Sequence, residues 1–171
     1  MAPIPPLNTI ANTQANYTTA VDISPAPQIV LPANILDVGQ VLRLTAFGVF
    51  STTLTPTLQT GFYYGGAVGG TALATTAAVA TASGVTNVPW RLEYEGRIRS
   101  TGTAGTIMGN GYEYRGTTVS AWAVTPIPTT ALANVTIDTT TAKTLTVGAG
   151  WGSASASNTI TCHHFGVELI G

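Results

Sequence analysis

Charged side chains are scarce in this chain. Its 171 residues include six Lys and Arg and seven Asp and Glu, so only 8% are charged, against about a quarter in an ordinary soluble domain. Lys143 is the single lysine. Binding to nucleic-acid phosphates requires clustered basic side chains, and no such cluster occurs along the sequence. We therefore expect no nucleic-acid partner.

Cysteine and long apolar runs are also scarce. Cys162 is the only cysteine, which excludes a disulfide within one chain, and its apolar neighbours predict a small buried side chain. No run approaches the 18 apolar residues of a membrane-spanning helix, and the first residues lack the features of a signal peptide. We therefore expect no membrane partner and synthesis in a cytoplasm.

Neutral polar residues, above all threonine, take the place of the missing charges. Threonine is β-branched and favours strands, which indicates a β-rich fold. A weakly charged surface also favours association with other subunits. A stable extracellular β protein without partners is the alternative interpretation of this composition.

The first 27 residues differ from the rest of the chain. Proline punctuates them without a sustained hydrophobic period, at positions 3, 5, 6, 25 and 27. Proline fixes an extended backbone and removes a hydrogen-bond donor. We predict an extended N-terminal arm over residues 1–27, outside the core, and a single domain over residues 28–171.

From residue 28 onward, short apolar stretches alternate with Gly, Pro and Thr turn signals, which predicts about eight to ten strands and no helix. Such spacing is typical of an antiparallel β-sandwich, and the strand number matches a jelly roll. An immunoglobulin sandwich competes, but its Cys…Trp…Cys spacing is missing. The sequence does not determine the strand order. The predicted strands are 28–31, 41–50, 57–64, 71–76, 90–100, 106–115, 119–124, 133–137, 144–151 and 159–170, with 77–84 a loop or a short strand.

Most of the charge falls between positions 91 and 115. Residues 90–100 alternate strictly between apolar and charged, and 106–115 can pair with them as a hairpin. Paired carboxylates can hydrolyse glycosides, but the interleaved signs favour an ion-pair ladder or a subunit contact. We therefore predict no enzyme activity. The residues expected on this one charged face are Arg91, Glu93, Glu95, Arg97, Arg99, Glu113 and Arg115.

Two further groups of residues deserve a chemical interpretation. Cys162, His163 and His164 are adjacent, but neighbouring strand residues point to opposite faces, so two ligands at most share a side. We predict no metal and no cofactor, with a site of three symmetry-related histidines as the alternative. The tryptophans Trp90, Trp122 and Trp151 lie in apolar strand patterns, which favours core packing over a sugar-stacking platform.

Several segments resemble virion structural proteins of tailed bacteriophages, a family well represented in phages of actinobacteria. The similar segments are Leu31-Pro32-Ala33-Asn34, Gly39-Gln40-Val41-Leu42-Arg43-Leu44, Gly48-Val49-Phe50-Ser51-Thr52-Thr53, Pro89-Trp90-Arg91-Leu92-Glu93, Gly105-Thr106-Ile107-Met108-Gly109 and Val167-Glu168-Leu169. The resemblance spans roughly residues 30–170 and leaves out the arm. It implies a jelly-roll-like sandwich, often trimeric, on the head, tail or fibre of a virion.

Two functions follow from these features. The first is a capsid decoration protein, a homo-oligomer and by resemblance a trimer, bound to the major capsid protein on the outside of the head. The second is a tail-tip or fibre domain that binds a host-surface carbohydrate through exposed aromatics such as Tyr63, Tyr64 or Trp122. The candidate contact residues are the charged face defined above together with Pro3, Pro5, Pro6 and Tyr17.

Overall fold

The computed structural model describes residues 10–171, and residues 1–9 lie outside the described part. Residues 10–171 form thirteen strands and no helix. The strands are β1 (Asn12–Ala15), β2 (Val21–Asp22), β3 (Ile29–Leu31), β4 (Val41–Ser51), β5 (Thr57–Tyr64), β6 (Thr71–Thr75), β7 (Val79–Ala80), β8 (Val88–Ser100), β9 (Gly105–Gly116), β10 (Trp122–Ile127), β11 (Val135–Ile137), β12 (Lys143–Trp151) and β13 (Thr159–Ile170).

The strands form two antiparallel sheets packed into a β-sandwich, as predicted. The seven-stranded sheet has the order β1-β13-β4-β8-β9-β10, and β11 also pairs with β9. The six-stranded sheet has the order β2-β12-β5-β6, with β3 on β12 and β7 on β5. The paths β1-β13-β4-β8 and β2-β12-β5-β6 have the strand order of an eight-stranded jelly roll. Strands β9, β10 and β11 are inserted between β8 and β12 and widen the larger sheet.

Buried and exposed side chains alternate along β4 and β8, and this alternation shows which face of the larger sheet contacts the core. In β8 the even-numbered residues Trp90, Leu92, Tyr94 and Ile98 are buried. Strand β4 buries its own set on the same face of the sheet, Leu42, Leu44, Ala46 and Phe50. Phe62 of the smaller sheet meets this layer, its ring centroid 5.8 Å from that of Phe165 and 6.4 Å from that of Tyr94. Burying one large apolar side chain contributes about 1.5–3 kcal/mol, so this interface supplies most of the stability.

The prediction of an arm over residues 1–27 needs correction for residues 10–27. Strand β1 pairs with β13, and β2 pairs with β12. Ile23 is fully buried in the core, and the Ser24 hydroxyl accepts a hydrogen bond from the Val147 amide. The prolines that suggested an arm flank these strands without interrupting them. Only the arm residues 1–9 lie outside the described part of the chain.

Two strands depart from the predicted patterns. A β-bulge between Cys162 and His164 shifts the register of β13 against β4, so Ile160, Cys162 and Phe165 face the core in place of strict alternation. Strand β10 was expected to end before Pro126 but continues to Ile127. Proline is tolerated there because β10 is the edge of the sheet, where an amide donor is not needed for pairing.

Replacing Ile23 by alanine tests whether the N-terminal strands belong to the fold. We expect Ile23→Ala to lower the free energy of unfolding by about 2–5 kcal/mol, because it leaves a cavity in the core. Ile10→Ala is the matched control and should change it by no more than about 0.5 kcal/mol, because Ile10 is exposed. Urea denaturation measures both, and equal stabilities of the two variants would contradict the placement of this segment in the core.

Candidate contact surface

The outer face of the seven-stranded sheet carries rows of side chains that cross several strands. One row, which we call the aromatic row, consists of His164, Phe47, Arg91, Tyr114 and Val124. Each member is the direct cross-strand partner of the next, from β13 through β4, β8 and β9 to β10. Cross-strand neighbours lie within contact distance of one another, so the row is a continuous band.

Aromatic and apolar side chains along this band remain open to solvent. The rings of Phe47 and His164 stack with centroids 4.9 Å apart, and Tyr112 lies against Tyr114 at 6.4 Å. Phe47, Tyr112 and Trp122 are each 44–49% exposed. Single exposed apolar residues are common on proteins, whereas a contiguous group is characteristic of an interaction surface.

A second row on the same face is ionic and crosses three strands. Arg43 of β4 lies between Glu168 of β13 and Glu95 of β8, with nitrogen–oxygen distances of 3.1 and 2.7 Å. The hydrogen bond from Arg43 to Glu95 raises the pKa of the guanidinium. A further exposed pair joins Arg91 and Glu93 at 2.5 Å. We call Glu168, Arg43 and Glu95 the charged row. Its ion pairs join β4 to β13 and β8, whereas the predicted ladder was expected between β8 and β9, and Glu95 is the one predicted member that takes part in it.

Glu113 and Arg115 do not belong to the outer face, so their predicted place there is wrong. Glu113 lies opposite Leu92 and Arg115 opposite Trp90, both core residues, and the exposed fractions of Glu113 and Arg115 are 1% and 5%. Three of the residues that precede Glu113 on its own side of β9 are glycines, at positions 105, 109 and 111. Without side chains, they do not show whether that side of the strand is apolar. The parity of β9 therefore cannot be inferred from its own sequence.

The buried pair connects the two sheets. Arg115 contacts the Glu113 carboxylate at 2.7 Å, and the Thr60 hydroxyl on β5 donates a hydrogen bond of 2.6 Å to the same carboxylate. The guanidinium also donates to the carbonyl oxygen of Val79 on β7. A cavity of about 40 Å³ adjoins the pair and is wide enough for an ordered water.

The Cys162-His163-His164 segment is divided by the bulge. The Cys162 thiol is buried, and burial raises its pKa to about 12, so it stays protonated at neutral pH. His163 is exposed, and His164 stacks on Phe47. Within residues 10–171, no three His, Cys, Asp or Glu side chains are grouped so that they could hold a metal ion.

The other predicted contact residues have different surroundings. Pro3, Pro5 and Pro6 lie outside the described residues. Tyr17 is half-buried and packs against the core, and burial raises the pKa of its hydroxyl. Arg97 and Arg99 are exposed on the outer face as expected, with Arg97 beside a shallow groove that Met108 and Leu132 also line.

Several residues of this surface were missing from the predicted set. Arg43 and Glu168 were separated in sequence from the other charges, and only the register of β13, β4 and β8 brings them together. Phe47 was visible as an apolar residue at a polar-face position of β4, and that mismatch with the alternation is the signal that could have identified it. Tyr112 gave no such signal, because the sequence of β9 does not show which side faces the core.

No protein-family model matches the chain, and no curated protein is similar to it in sequence. In the part of the chain from residue 10 onward, there is no helix long and apolar enough to cross a membrane.

Replacing Glu113 by leucine tests the buried pair. We expect Glu113→Leu to destabilise the protein by about 3–5 kcal/mol, because it leaves the buried Arg115 charge without compensation. The double variant Glu113→Leu/Arg115→Met should recover much of this loss, because it removes both charges. Thermal and urea denaturation measure the three stabilities.

The matched control is Glu93→Leu, which breaks the exposed pair with Arg91 and should cost no more than about 1 kcal/mol. If Glu113→Leu were as mild as Glu93→Leu, the carboxylate would not be buried beside a charged arginine. If the double variant were less stable than Glu113→Leu, Arg115 would have favourable contacts independent of Glu113.

Proposed function

We propose that this protein is a structural component of a tailed-phage virion, a capsid decoration protein that binds the outside of the head as a homo-oligomer, by family resemblance a trimer. The observation that carries the proposal is the exposed surface that the aromatic residues Phe47, Tyr112 and Trp122 form together with Val124 on the larger sheet. The resemblance of residues 30–170 to virion proteins supports the particle as the place where this surface is covered. The jelly roll is common among capsid and lectin domains, which supports the proposal by analogy.

The chemistry of the surface fits a protein partner. Trp and Tyr dominate the binding energy of protein interfaces because they bury large areas at low entropic cost. The charged row beside them supplies orientation, since exposed ion pairs contribute more to register and specificity than to affinity. Many identical copies on one particle make weak single contacts effective through multivalency. In this proposal the major capsid protein and neighbouring copies of the chain share the outer face.

Aromatic truncation tests this mechanism. We expect Tyr112→Ser/Trp122→Ser to reduce the amount of protein bound to capsids lacking it by about tenfold or more at subsaturating concentration, because truncating interface aromatics often costs above 1.4 kcal/mol. Val68→Ser is the control, since Val68 is an exposed apolar residue but lies in the β5–β6 turn of the other sheet. Cosedimentation measures the bound fraction.

Unchanged binding of the double variant would remove the aromatic surface from the mechanism.

Cryo-electron microscopy of the intact particle supplies the independent check of where the protein lies. Jelly-roll density repeating over the head at local threefold positions would support decoration, and density confined to the tail or a fibre would contradict it.

The second candidate is a tail-tip or fibre domain that binds a host-surface carbohydrate, favoured by the exposed Trp122 ring. Tyr63 and Tyr64, the other aromatics considered for this role, are buried and do not contribute. We expect a lectin of this kind to bind on a glycan array and Trp122→Ala to abolish the signal, with Val68→Ala as control. Absence of any glycan bound at high protein concentration would count against this function.

A further inference from the structure

Strand β10 lies at an edge of the seven-stranded sheet and, in the described part of the chain, pairs with β9 alone. The side chains of Trp122 and Val124 on this strand are 49% and 56% exposed. An edge strand presents backbone donors and acceptors that can pair with another chain, and proteins commonly protect such edges with charged side chains or a cover. No charged residue occurs between Arg115 and Asp138. The edge is therefore open to pairing and has no charge that would repel a second copy.

The turn before β10 shows which way the backbone groups of the strand point. The Thr117 amide donates a hydrogen bond of 2.8 Å to the Ala121 carbonyl oxygen, so these two residues form a hydrogen-bonded pair. Hydrogen-bonded and non-hydrogen-bonded pairs alternate along an antiparallel ladder. In the register of β10 against β9, the odd-numbered residues of β10 therefore bond to β9. Trp122, Val124 and Pro126 direct their backbone groups outward, and proline supplies no donor there.

The pairing on the other side of β9 leads to the same assignment. The Ile98 amide donates a hydrogen bond of 2.9 Å to the Gln40 carbonyl oxygen, so the even-numbered residues of β8 bond to β4. The odd-numbered residues of β8 then bond to even-numbered residues of β9, as in the pair of Arg91 and Tyr114. This leaves the odd-numbered residues of β9 to bond to β10, in agreement with the turn.

The outward groups of β10 complement those of a second copy related by a twofold axis. When two β10 strands run antiparallel with Val124 opposite Val124, each Val124 amide donates to the Val124 carbonyl oxygen of the other copy. Each Trp122 amide likewise donates to the Pro126 carbonyl oxygen of the other copy. Every outward amide is then paired, and the missing donor of Pro126 leaves only the Trp122 carbonyl oxygen to water. A register centred on Ala123 would instead place Pro126 opposite Ser120, which lies outside the strand.

The side chains in this register are complementary as well. Trp122, Val124 and Pro126 point to one face of the strand, the outer face on which Val124 ends the aromatic row. Across the axis Val124 meets Val124, and the Trp122 ring lies against the Pro126 ring of the other copy. Cross-strand pairs with aromatic and β-branched members stabilise sheets. The opposite edge strand of the sheet, Asn12–Ala15, carries no large apolar side chain, so β10 is the favoured edge.

We propose that two copies of this chain pair along β10 about a twofold axis at Val124 and join their larger sheets into one continuous sheet. The aromatic rows of the two copies then meet end to end, because Val124 is the last member of each. The contact is small, so monomer and dimer exchange in an equilibrium that depends on concentration. This inference does not rest on a virion role, since it concerns the isolated chain, and its twofold contact is separate from the threefold one that the resemblance implies.

Cysteine cross-linking tests the pairing and its register. Val124→Cys and Ala123→Cys chains are incubated with oxidised glutathione, and the unaltered chain is the blank because its Cys162 is buried. In the proposed dimer, the two Cα atoms at position 124 are about 5.5 Å apart, which a disulfide spans. Those at position 123 are about 8 Å apart, beyond the limit of about 7 Å. We expect Val124→Cys to form covalent dimers about tenfold faster than Ala123→Cys, or more.

A charge placed on the axis provides the second test. Val124→Lys sets two like charges opposite each other in the dimer, which destabilises the pairing. In sedimentation equilibrium we expect the average mass of the unaltered chain to rise from monomer toward dimer with concentration, and Val124→Lys to remain a monomer. Val68→Lys is the control, because it makes the same change at an exposed residue of the other sheet and should behave as the unaltered chain.

Three outcomes would overturn the proposal. The first is an unaltered chain that stays monomeric at every concentration. The second is cross-linking of Ala123→Cys as fast as that of Val124→Cys, which would contradict the register. The third is an assembly that Val124→Lys leaves intact, which would assign the contact between copies to another surface. None of these samples contains capsids, so failure here and failure of the decoration proposal are distinguishable.

Discussion

The alternation of β4 and β8 determines which side of the larger sheet faces the core. Both strands run the full height of the sandwich, and their buried residues form one layer against Phe62 of the smaller sheet. Antiparallel pairing then fixes which face each side chain occupies on the neighbouring strands, because a slip of the register by one residue would turn every side chain of a strand to the other face. The position of Glu113 opposite Leu92, and of Tyr114 opposite Arg91, follows from the same pairing. The buried ion pair and the aromatic row are thus two consequences of one register.

A chain with so few charges places two of them in its interior, which has a physical cost. Burying an ion pair removes both groups from water, and apolar residues of similar volume are often as stable or more stable. Here the pair bonds Thr60 of the opposite sheet and a carbonyl of β7, so it specifies how the inserted β9 lies over the smaller sheet. An apolar pair at these positions would allow other alignments of a strand whose inner face otherwise consists largely of glycine. We infer that the pair contributes to specificity of alignment more than to net stability.

The sequence predicted most of the strands well, but it predicted less consistently which face of the sheet their side chains occupy. Strand bounds for β5 and β13 were predicted to the residue, because apolar stretches there end at clear turn signals. The outer charges of β8 were predicted correctly because that strand alternates strictly. The predicted face of a side chain was wrong where the local pattern does not show which residues point inward. The glycines of β9 hid the inner position of Glu113, and the bulge after Cys162 broke the period of β13.

The remaining misses depended on long-range pairing. Strands β1 and β2 are short and polar, so only their partners β13 and β12 make them strands. Arg43 meets Glu95 and Glu168 across separations in sequence of 52 and 125 residues, which no local pattern reveals. Contact sites are harder to predict than folds for this reason, because they combine residues that the strand order alone brings together.

The N-terminal correction changes the interpretation of the outer face. An arm of 27 residues would be long enough to reach a distant neighbour, whereas β1 and β2 are strands of the sandwich and Ile10 is bridged to Ala26. Residues 10–27 therefore add to the body of the domain and supply no long extension for contacts at a distance. Because exposed apolar side chains that lie together are characteristic of interaction surfaces, the outer face with Phe47, Tyr112 and Trp122 is the part of the described chain best suited to a partner.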